Sequence, residues 1–408
     1  MNIYLERIIF HIDVNAAFLS WEAVYRLKHR GEKEDLREII SAVAGDITLR
    51  HGIILAKSIA AARCGVRTGE PIPQARAKCP SLVLVPPNYS LYEKCSAALM
   101  EILREYSDAV EQYSIDEAFV DMSTTCHLFG APEETAMRMK EHIREELGFT
   151  VNVGVARNKL LAKMASDFRK PDRVHTLYQE EIKTKMWPLP VSDLFFVGRA
   201  TTGKLRSMGI CTIGELAETD PAWLRCVLKK QGEILWGFAN GIDLSAVLQQ
   251  PLANKGYGNS TTTPYDVTDE ETAAQVLLAL SETVGRRLRA DRVQIGVVSV
   301  AIRYRDLSDT SHQRCLQNPT DLTWEIYQAA CGLFGELWDG RPIRHLGVHT
   351  GRVSGADCGR QLMFFQEIDY EKLSRMDQTV DEIRNRFGAD AVMRAVFLNP
   401  SVAPGSGA

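Results

Sequence analysis

Three carboxylates from two distant parts of the sequence could together hold divalent cations. Asp116 and Glu117 are adjacent, at a break in an alternating apolar pattern, and Asp13 directly follows a predicted buried strand at residues 8–12. Three carboxylates can hold two cations about 3.5–4 Å apart, where one lowers the pKa of an attacking hydroxyl and the other neutralises charge on a leaving pyrophosphate. Carboxylate oxygens are ligands that suit Mg²⁺. A solvated surface turn is the alternative interpretation of the adjacent acids, and the residue types leave both open.

A lysine at the start of a predicted helix is a second candidate contact. The alternating strand Thr150–Val155 is followed by Asn158, a residue type that commonly caps helices, and then by Lys159. Phosphate groups bind well at helix N-termini, because the free N–H groups and the helix dipole favour negative charge. A solvated surface lysine is the competing interpretation.

The elements around these residues indicate how they could meet. Apolar spacing predicts four strands and four helices in the first part of the chain, with strands at 8–12, 110–113, 118–122 and 150–155 and helices at 15–30, 91–106, 132–147 and 158–170. This order predicts an α+β sheet domain with helices on a face. Asp13 would then end one strand, and Asp116 and Glu117 would lie at the edge of its neighbour.

The rest of the chain predicts further domains. Residues 190–245 have the pattern of a small helical region, and 251–258 that of a linker. Residues 260–352 alternate between helix and strand patterns and predict a second α+β unit. A final amphipathic stretch, Glu371–Phe387, precedes a tail rich in Pro, Gly and Ser.

Composition excludes several classes of protein. The 408 residues are 45% hydrophobic and 25% charged, which is ordinary for a globular protein of two to four domains. No apolar run reaches the roughly 20 residues of a membrane span, and Met1–Phe10 lacks the features of a secretory signal. Nine cysteines without a CxxC pair predict reduced thiols and a cytoplasmic location. The net charge of −4 does not indicate nucleic-acid binding, although local faces decide that property.

Five motifs together resemble a known family over almost the whole chain. Their order and spacing are similar to those of the Y-family translesion DNA polymerases, nearest to the DNA polymerase IV (DinB) branch. The most specific of them is the Ser-x-Asp-Glu motif. The motifs are Phe10–Phe18, Ser114–Glu117, Val153–Lys159, Lys255–Thr262 and Trp338–Arg344.

The resemblance implies a multidomain α+β fold, the right-hand polymerase. It has a catalytic palm, small fingers, a helical thumb with a helix-hairpin-helix, and an α+β little-finger domain. The boundaries we predict are palm 1–17 and 88–173, fingers 18–87, thumb 174–245, linker 246–254, little finger 255–352 and tail 353–408.

The resemblance also implies the roles of individual residues. Asp13, Asp116 and Glu117 would be the catalytic acids and the metal ligands, assisted by the backbone carbonyl of Val14. They would hold two Mg²⁺ ions per active site, with Mn²⁺ able to substitute. Phe18 would be the steric gate, which excludes a ribose 2′-hydroxyl; a core residue on a helix face is the alternative.

The expected nucleotide contacts include one departure from the family. Lys159 would contact the triphosphate. The family usually has a Tyr-x-x-Arg sequence in the fingers, where this chain has Ile59 and Ala62. Arg63 is therefore our candidate substitute, with Lys57 as an alternative, and nucleotide affinity is the property that the departure affects most.

A short apolar peptide near the C-terminus predicts a protein partner. Gln361, Leu362, Phe364 and Phe365 match a Gln-Leu-x-(Leu/Phe)-Phe pattern, which is similar to the sliding-clamp-binding peptide of bacterial polymerases. Such a peptide would tether the enzyme near the primer end. An edge strand or helix that packs back on the chain is the alternative.

The function implied is low-fidelity, templated nucleotidyl transfer to a primer 3′-hydroxyl during translesion synthesis. The implied partners are primer-template DNA, deoxynucleoside triphosphates and the clamp; we expect a monomer and no membrane. Two alternatives stay open: a DNA-bound accessory protein of the same family with weakened catalysis, and a nucleotidyl cyclase that uses the same palm.

Overall fold

The structure is a computed structural model that describes residues 7–46, 50, 52–250, 252–355, 361 and 369–398. The chain forms two compact units, the first of Met1–Gly45 and Ile53–Pro251 and the second of Asp46–Gly52 and Leu252–Ala408. Both combine helices with sheets, as the sequence predicts. No helix in the described ranges is long and apolar enough to span a bilayer.

The first unit contains eight strands and ten α-helices within its described residues. In chain order they are β1 (Ile9–Val14), α1 (Ala17–His29), β2 (Ser41–Ala44), β3 (Ile54–Lys57), α2 (Ile59–Arg63), α3 (Ile72–Lys78), β4 (Val83–Val85), α4 (Tyr89–Tyr106), β5 (Val110–Gln112), β6 (Glu117–Asp121), α5 (Pro132–Leu147), β7 (Val151–Ala156), α6 (Lys159–Asp167), β8 (Val174–Leu177), α7 (Arg199–Ser207), α8 (Ile213–Glu218), α9 (Pro221–Leu228) and α10 (Lys230–Ala239).

A five-stranded sheet in the order β5-β6-β1-β7-β8 is the centre of this unit. β1 lies between β6 and β7 and is antiparallel to both. Every residue of β1 and β7 is buried, so both strands have the apolar character of strands covered on two faces. β8 belongs to the same sheet, although it lies beyond position 173, where we predicted the palm to end.

Side-chain alternation gives the two faces of this sheet different characters. Phe10, Ile12 and Val14 of β1 contribute to one core cluster, together with residues of α4 and α5. The intervening residues, Ile9, His11 and Asp13, point to the opposite face, because successive side chains of a strand alternate. That opposite face is the one covered by α6.

Helix α6 approaches the sheet closely because β7 carries a glycine beneath it. A Cβ atom on Gly154 would lie 1.9 Å from the carbonyl oxygen of Ala162 and 2.6 Å from the amide nitrogen of Ser166. Any larger residue at this position would push α6 away from the sheet. The close contact fixes the distance between α6 side chains and the polar residues of β1.

A smaller sheet, β3-β2-β4, carries α2 and α3. β2 is antiparallel to β3 and parallel to β4. The core of this sheet includes Ile54, Ala61 and Ile72, so the predicted fingers segment has an apolar centre of its own. The last four helices, α7–α10, form the helical region that the sequence predicts after residue 190.

The second unit is a four-stranded antiparallel sheet covered by helices. Its elements are β9 (Gly258–Val267), α11 (Glu270–Ala290), β10 (Val293–Tyr304), β11 (Asp309–Thr320), α12 (Thr323–Leu337), β12 (Ile343–Gly355) and α13 (Tyr370–Phe387). The strand order is β11-β10-β12-β9, and apolar residues of α11 and α12 pack on the sheet.

Helix α13 packs against α11 through partly and fully buried ion pairs. Arg289 of α11 bonds to Asp377 at 3.1 Å and to Asp381 at 2.6 Å, and Glu282 bonds to Arg384 at 3.2 Å. Asp377 also accepts a hydrogen bond from the amide of Thr323, at the start of α12. Part of the predicted tail is therefore a docked helix, because its charges are complementary to those of α11.

Candidate active site

Two of the three predicted catalytic acids face each other across paired strands. Asp13 of β1 lies directly opposite Glu117 of β6 in the antiparallel register. The amide of Val14 donates to the carbonyl of Asp116 at 3.0 Å, so the third acid immediately precedes this pairing. Acids from distant parts of the sequence thus lie together at one end of the central sheet, as the sequence predicts.

Two lysines reach these acids from α6 and from the turn that follows it. The Nζ atom of Lys163 lies 2.7 Å from Oε1 of Glu117 and 3.8 Å from Oδ2 of Asp13. The Nζ atom of Lys170 lies 2.7 Å from the same Asp13 oxygen. Burial disfavours the charged ammonium groups, but the charges of the neighbouring carboxylates and the hydrogen bonds to them together outweigh it and raise the pKa of both lysines.

The end of α6 is held in place by a buried amide. Asn152 of β7 donates from Nδ2 to the carbonyl oxygens of Ser166 and Arg169, each at 2.9 Å. Its Oδ1 accepts a hydrogen bond from the amide of Arg173 at 3.3 Å. Asn152 thus fixes the backbone on both sides of Lys170, and this restraint directs the lysine to Asp13.

The acids repel one another in this arrangement. Burial raises the pKa of Glu117, and the charges of Asp13 and Asp116 raise it further, while Lys163 opposes the shift. Asp116 is held by the hydroxyl of Ser114, which donates to its Oδ1 at 2.8 Å. The serine of the Ser-x-Asp-Glu motif therefore orients the first acid.

The residues present fit a divalent cation in the chemistry of their donor atoms. Among the side chains that the structure describes, no three acidic, histidine or cysteine groups converge as a preformed metal cluster, and Lys163 and Lys170 pair with Glu117 and Asp13. The donors are hard oxygens on neighbouring strands, which suit Mg²⁺. Burial is the main cause of the raised pKa of Glu117, and the charges of Asp13 and Asp116 add to it; a bound cation would offset both effects.

A buried histidine that sequence reasoning missed lies beside Glu117. The Ser166 hydroxyl donates its one proton to the carbonyl of Lys163 at 2.8 Å, so it must accept from His11 Nδ1, also at 2.8 Å. His11 is fully buried, and burial lowers its pKa well below the ordinary value, so the ring is neutral. Nε2 then carries a lone pair, and it lies 3.9 Å from Oε2 of Glu117. His11 ties β1 to α6 behind the acids.

Lys159, our predicted triphosphate contact, lies in a different environment. Its Nζ atom is 2.7 Å from both carboxylate oxygens of Glu111 in β5 and 4.7 Å from the centre of the Phe119 ring. Glu111 also accepts a hydrogen bond from the amide of Leu248 at 2.7 Å. The pair therefore anchors the start of the predicted linker to the sheet, and Lys163 and Lys170 are the lysines that contact the acids.

In the predicted fingers, the residues at the family's Tyr-x-x-Arg positions are exposed to solvent. Ile59 and Ala62 are both exposed on α2, and so is Arg63, at the last position of that helix. Lys57, the alternative substitute, donates from Nζ to the hydroxyl of Thr68 at 3.1 Å. Of the two candidate substitutes, Lys57 is thus committed to a local hydrogen bond.

Phe18, the predicted gate, is the second residue of α1. Its ring is half-buried and packs on an aromatic cluster that includes Trp21 and Tyr92. Phe18 is only five positions after Asp13, so its Cα lies within roughly 17 Å of that acid's Cα.

The predicted clamp-binding peptide is only partly within the described residues. Leu362, Phe364 and Phe365 lie outside them. Gln361 is exposed, and its backbone exchanges two hydrogen bonds with the side chain of Asn318 in β11, at 2.9 and 3.1 Å.

The sequence contains a signal that could have revealed the two missed lysines. Lys159, Lys163 and Asp167 are spaced four residues apart, and Lys170 follows three later, so all four would share one face of the predicted helix 158–170. A charged stripe on a helix whose opposite face is apolar must border a polar site or solvent. His11 and Asn152 gave no such signal, because their partners lie in distant segments.

Comparison with known proteins assigns the chain to a family. The impB/mucB/samB family matches residues 12–167, its C-terminal domain matches residues 254–363, and its helix-hairpin-helix motif matches residues 179–210. Together these matches cover more than half of the chain.

Full-length relatives and a solved structure agree with this assignment. DNA polymerase IV of Clostridium acetobutylicum is 42% identical, over 97% of this chain and 99% of the relative. DNA polymerase IV of Acetivibrio thermocellus is 39% identical, over 97% and 98%. The fold resembles that of a solved chimera, the Y-family DNA polymerase Dbh-Dpo4(243-245)-Dbh, with a TM-score of 0.72, 23% identity, and coverage of 85% of this chain and 99% of that chain. This chain belongs to the impB/mucB/samB family of Y-family DNA polymerases.

Proposed function

We propose that this DNA polymerase extends a primer 3′-end on damaged templates through a two-cation centre held by Asp13, Asp116 and Glu117, with the Val14 carbonyl assisting. The observation that carries the proposal is the register that sets Asp13 opposite Glu117, next to Asp116 and within reach of two lysines. When bound, Mg²⁺ would supply charge neutralisation and a lowered pKa for the primer hydroxyl. Primer extension with Mg²⁺ and the four deoxynucleotides tests the proposal.

In this proposal the protein's own residues prepare the site before nucleotide binds. Lys163 and Lys170 compensate the acids, which would otherwise repel one another. Lys170 is the more exposed of the two, with 38% of its side chain accessible against 10% for Lys163. Its flexible side chain can exchange the Asp13 carboxylate for a phosphate oxygen, so we assign triphosphate binding to Lys170. Arg63, exposed on α2, is the proposed contact from the fingers.

The two lysine assignments make different predictions. Lys170→Ala should lower kcat/KM for deoxynucleotide insertion about tenfold, since it removes a charge-assisted contact to phosphate. Lys159→Ala should change kcat/KM less than about threefold, because the Lys159 ammonium group is already paired with Glu111. Single-nucleotide insertion kinetics measure both variants, with Lys170→Arg as the charge-conserving control. If kcat/KM falls further in Lys159→Ala than in Lys170→Ala, Lys159 and not Lys170 is the triphosphate contact.

We further propose that residues 361–365 tether the enzyme to a sliding clamp. The peptide follows β12, and the Gln361 backbone is hydrogen-bonded to Asn318, so the pattern begins at the surface of the second unit. A tether raises the effective concentration of polymerase at the primer without any new contact in the active site.

Replacing Phe364 and Phe365 with alanine should therefore abolish stimulation by the clamp and leave basal extension intact. Met363→Ala is the matched control, because the pattern tolerates any residue at that position. Primer extension with and without loaded clamp gives both numbers. If the double variant is stimulated as strongly as the wild type, the peptide does not bind the clamp.

A further inference from the structure

The proposed gate ring is stacked face to face on a buried tyrosine. The ring centres of Phe18 in α1 and Tyr92 in α4 are 4.4 Å apart, and the ring planes differ by 11°. Tyr92 is fully buried, whereas Phe18 is half-buried. One face of Phe18 is therefore covered by Tyr92, so a nucleotide could meet only its remaining surface.

Tyr92 is itself held by α1, the helix that carries Phe18. Its hydroxyl donates to Oε1 of Glu22 at 3.1 Å, and Glu22 follows Phe18 by one helical turn, on the same face of α1. The other carboxylate oxygen of Glu22 lies 3.4 Å from Nε of Arg26. Trp21 packs beside both rings, with centres 5.9 Å from Phe18 and 5.7 Å from Tyr92. The tyrosine thus contacts α1 at two successive turns.

A neighbouring tyrosine contacts the same ring but restrains it less. Tyr89 meets Phe18 edge-on, at 6.2 Å and 88°, and 44% of Tyr89 is exposed. The flat face of Tyr92, with its centre 4.4 Å from that of Phe18, blocks rotation of the Phe18 ring toward α4, whereas the exposed edge of Tyr89 does not. Tyr89 is therefore a matched control for Tyr92.

We propose that Tyr92 is a positioning residue that sets sugar selectivity by fixing the Phe18 ring in its excluding orientation. This inference rests on the proposed function, in which Phe18 is the steric gate. The Phe18 ring excludes a 2′-hydroxyl only while it cannot rotate away. Rotation would break the stack on Tyr92, so the stack opposes it. A stacked aromatic pair favours one orientation by a factor of roughly two to ten.

The test compares deoxynucleotide and ribonucleotide insertion by one variant at a time. Tyr92→Leu should lower the ratio of kcat/KM for the two sugars about fivefold to tenfold, whereas Tyr92→Phe, which keeps the ring, and Tyr89→Leu should stay within about twofold of wild type. A loss of folded enzyme lowers both rates equally and cancels in the ratio, so a merely structural role would not change it. Wild-type selectivity in Tyr92→Leu would overturn the proposal.

Two further variants keep the outcome decisive. Tyr92→Met fills the volume without a flat face and gives the same test if the leucine variant does not fold. Phe18→Ala separates this inference from the proposed function. If Phe18→Ala loses selectivity and the Tyr92 variants do not, Phe18 is a gate that Tyr92 does not position. If Phe18→Ala keeps wild-type sugar selectivity, Phe18 is not the steric gate, and Tyr92 has no gate to position.

Discussion

Primer extension should fall at least about 1000-fold when Asp116 and Glu117 are both replaced by alanine, equivalent to about 4 kcal/mol of transition-state stabilisation. The two residues supply two of the three carboxylates at the end of the central sheet. Without them, Asp13 has only Lys163 and Lys170 as charged neighbours among the described contacts. Asp13 alone, already paired with two lysines that also bond to Asp167, is too small a set of oxygen ligands to hold a divalent cation.

The control for this experiment must separate chemistry from folding. Asp116→Asn/Glu117→Gln removes the same charges with little change in shape, and Asp108→Ala removes an exposed acid elsewhere in the same unit. We expect the amide variant to be as inactive as the alanine variant and Asp108→Ala to match wild type. Thermal melting and primer-template binding should be preserved in all three. Extension by the double variants at the wild-type rate would contradict the assignment of the acids.

The wild-type result also separates the alternatives. A catalytically weakened accessory protein would bind primer-template and fail to extend it, and the exposed Ile59 and Ala62 are the residues that would explain such weakness. A nucleotidyl cyclase would convert nucleotide without a primer. Robust extension that depends on Asp116 and Glu117 agrees with neither.

Phe18→Ala should increase ribonucleotide incorporation relative to deoxynucleotide incorporation by about 30- to 150-fold. A clash between an aromatic ring and an added hydroxyl costs about 2–3 kcal/mol when the ring cannot move, and this penalty disappears with the ring. The ring is a plausible barrier because Phe18 lies at the start of α1, close in sequence to Asp13, and is only half-buried.

Sugar selectivity, and not activity alone, is the quantity that tests the gate. Phe18 also contributes to two core clusters, so its loss is expected to lower stability and total activity. The ratio of the two insertion efficiencies is insensitive to that loss. Leu19→Ala, which truncates a buried neighbour on the same helix, is the matched control and should leave the ratio unchanged. Equal ratios for Phe18→Ala and wild type would show that Phe18 is a core residue only.

The sequence predicts the placement of the acids because that placement depends on local pattern. The apolar runs predict strands β1 and β6, and the ends of these runs fix where Asp13 and Glu117 occur along them. The multidomain α+β fold is likewise confirmed, since each element has its own periodicity. The domain boundaries and the roles of the site residues stay predictions.

Other features depend on which segments become neighbours. Lys159 and Lys170 lie at the two ends of one predicted helix, and the sequence pattern does not distinguish their roles. Lys159 forms an ion pair with Glu111 of β5. Asn152 holds the backbone around Lys170, which forms an ion pair with Asp13. Nothing within α6 contains that information, because both partners come from other strands.

By itself, then, the sequence determined the period of each element and the chemical type of the groups that we propose as catalytic. The tertiary structure decided which lysines neutralise the acids, which histidine lies behind them, and which tyrosine supports Phe18. The physical reason is that a strand or helix pattern is set by residues a few positions apart. An ion pair or a ring stack is set by side chains that become neighbours only when distant elements pack.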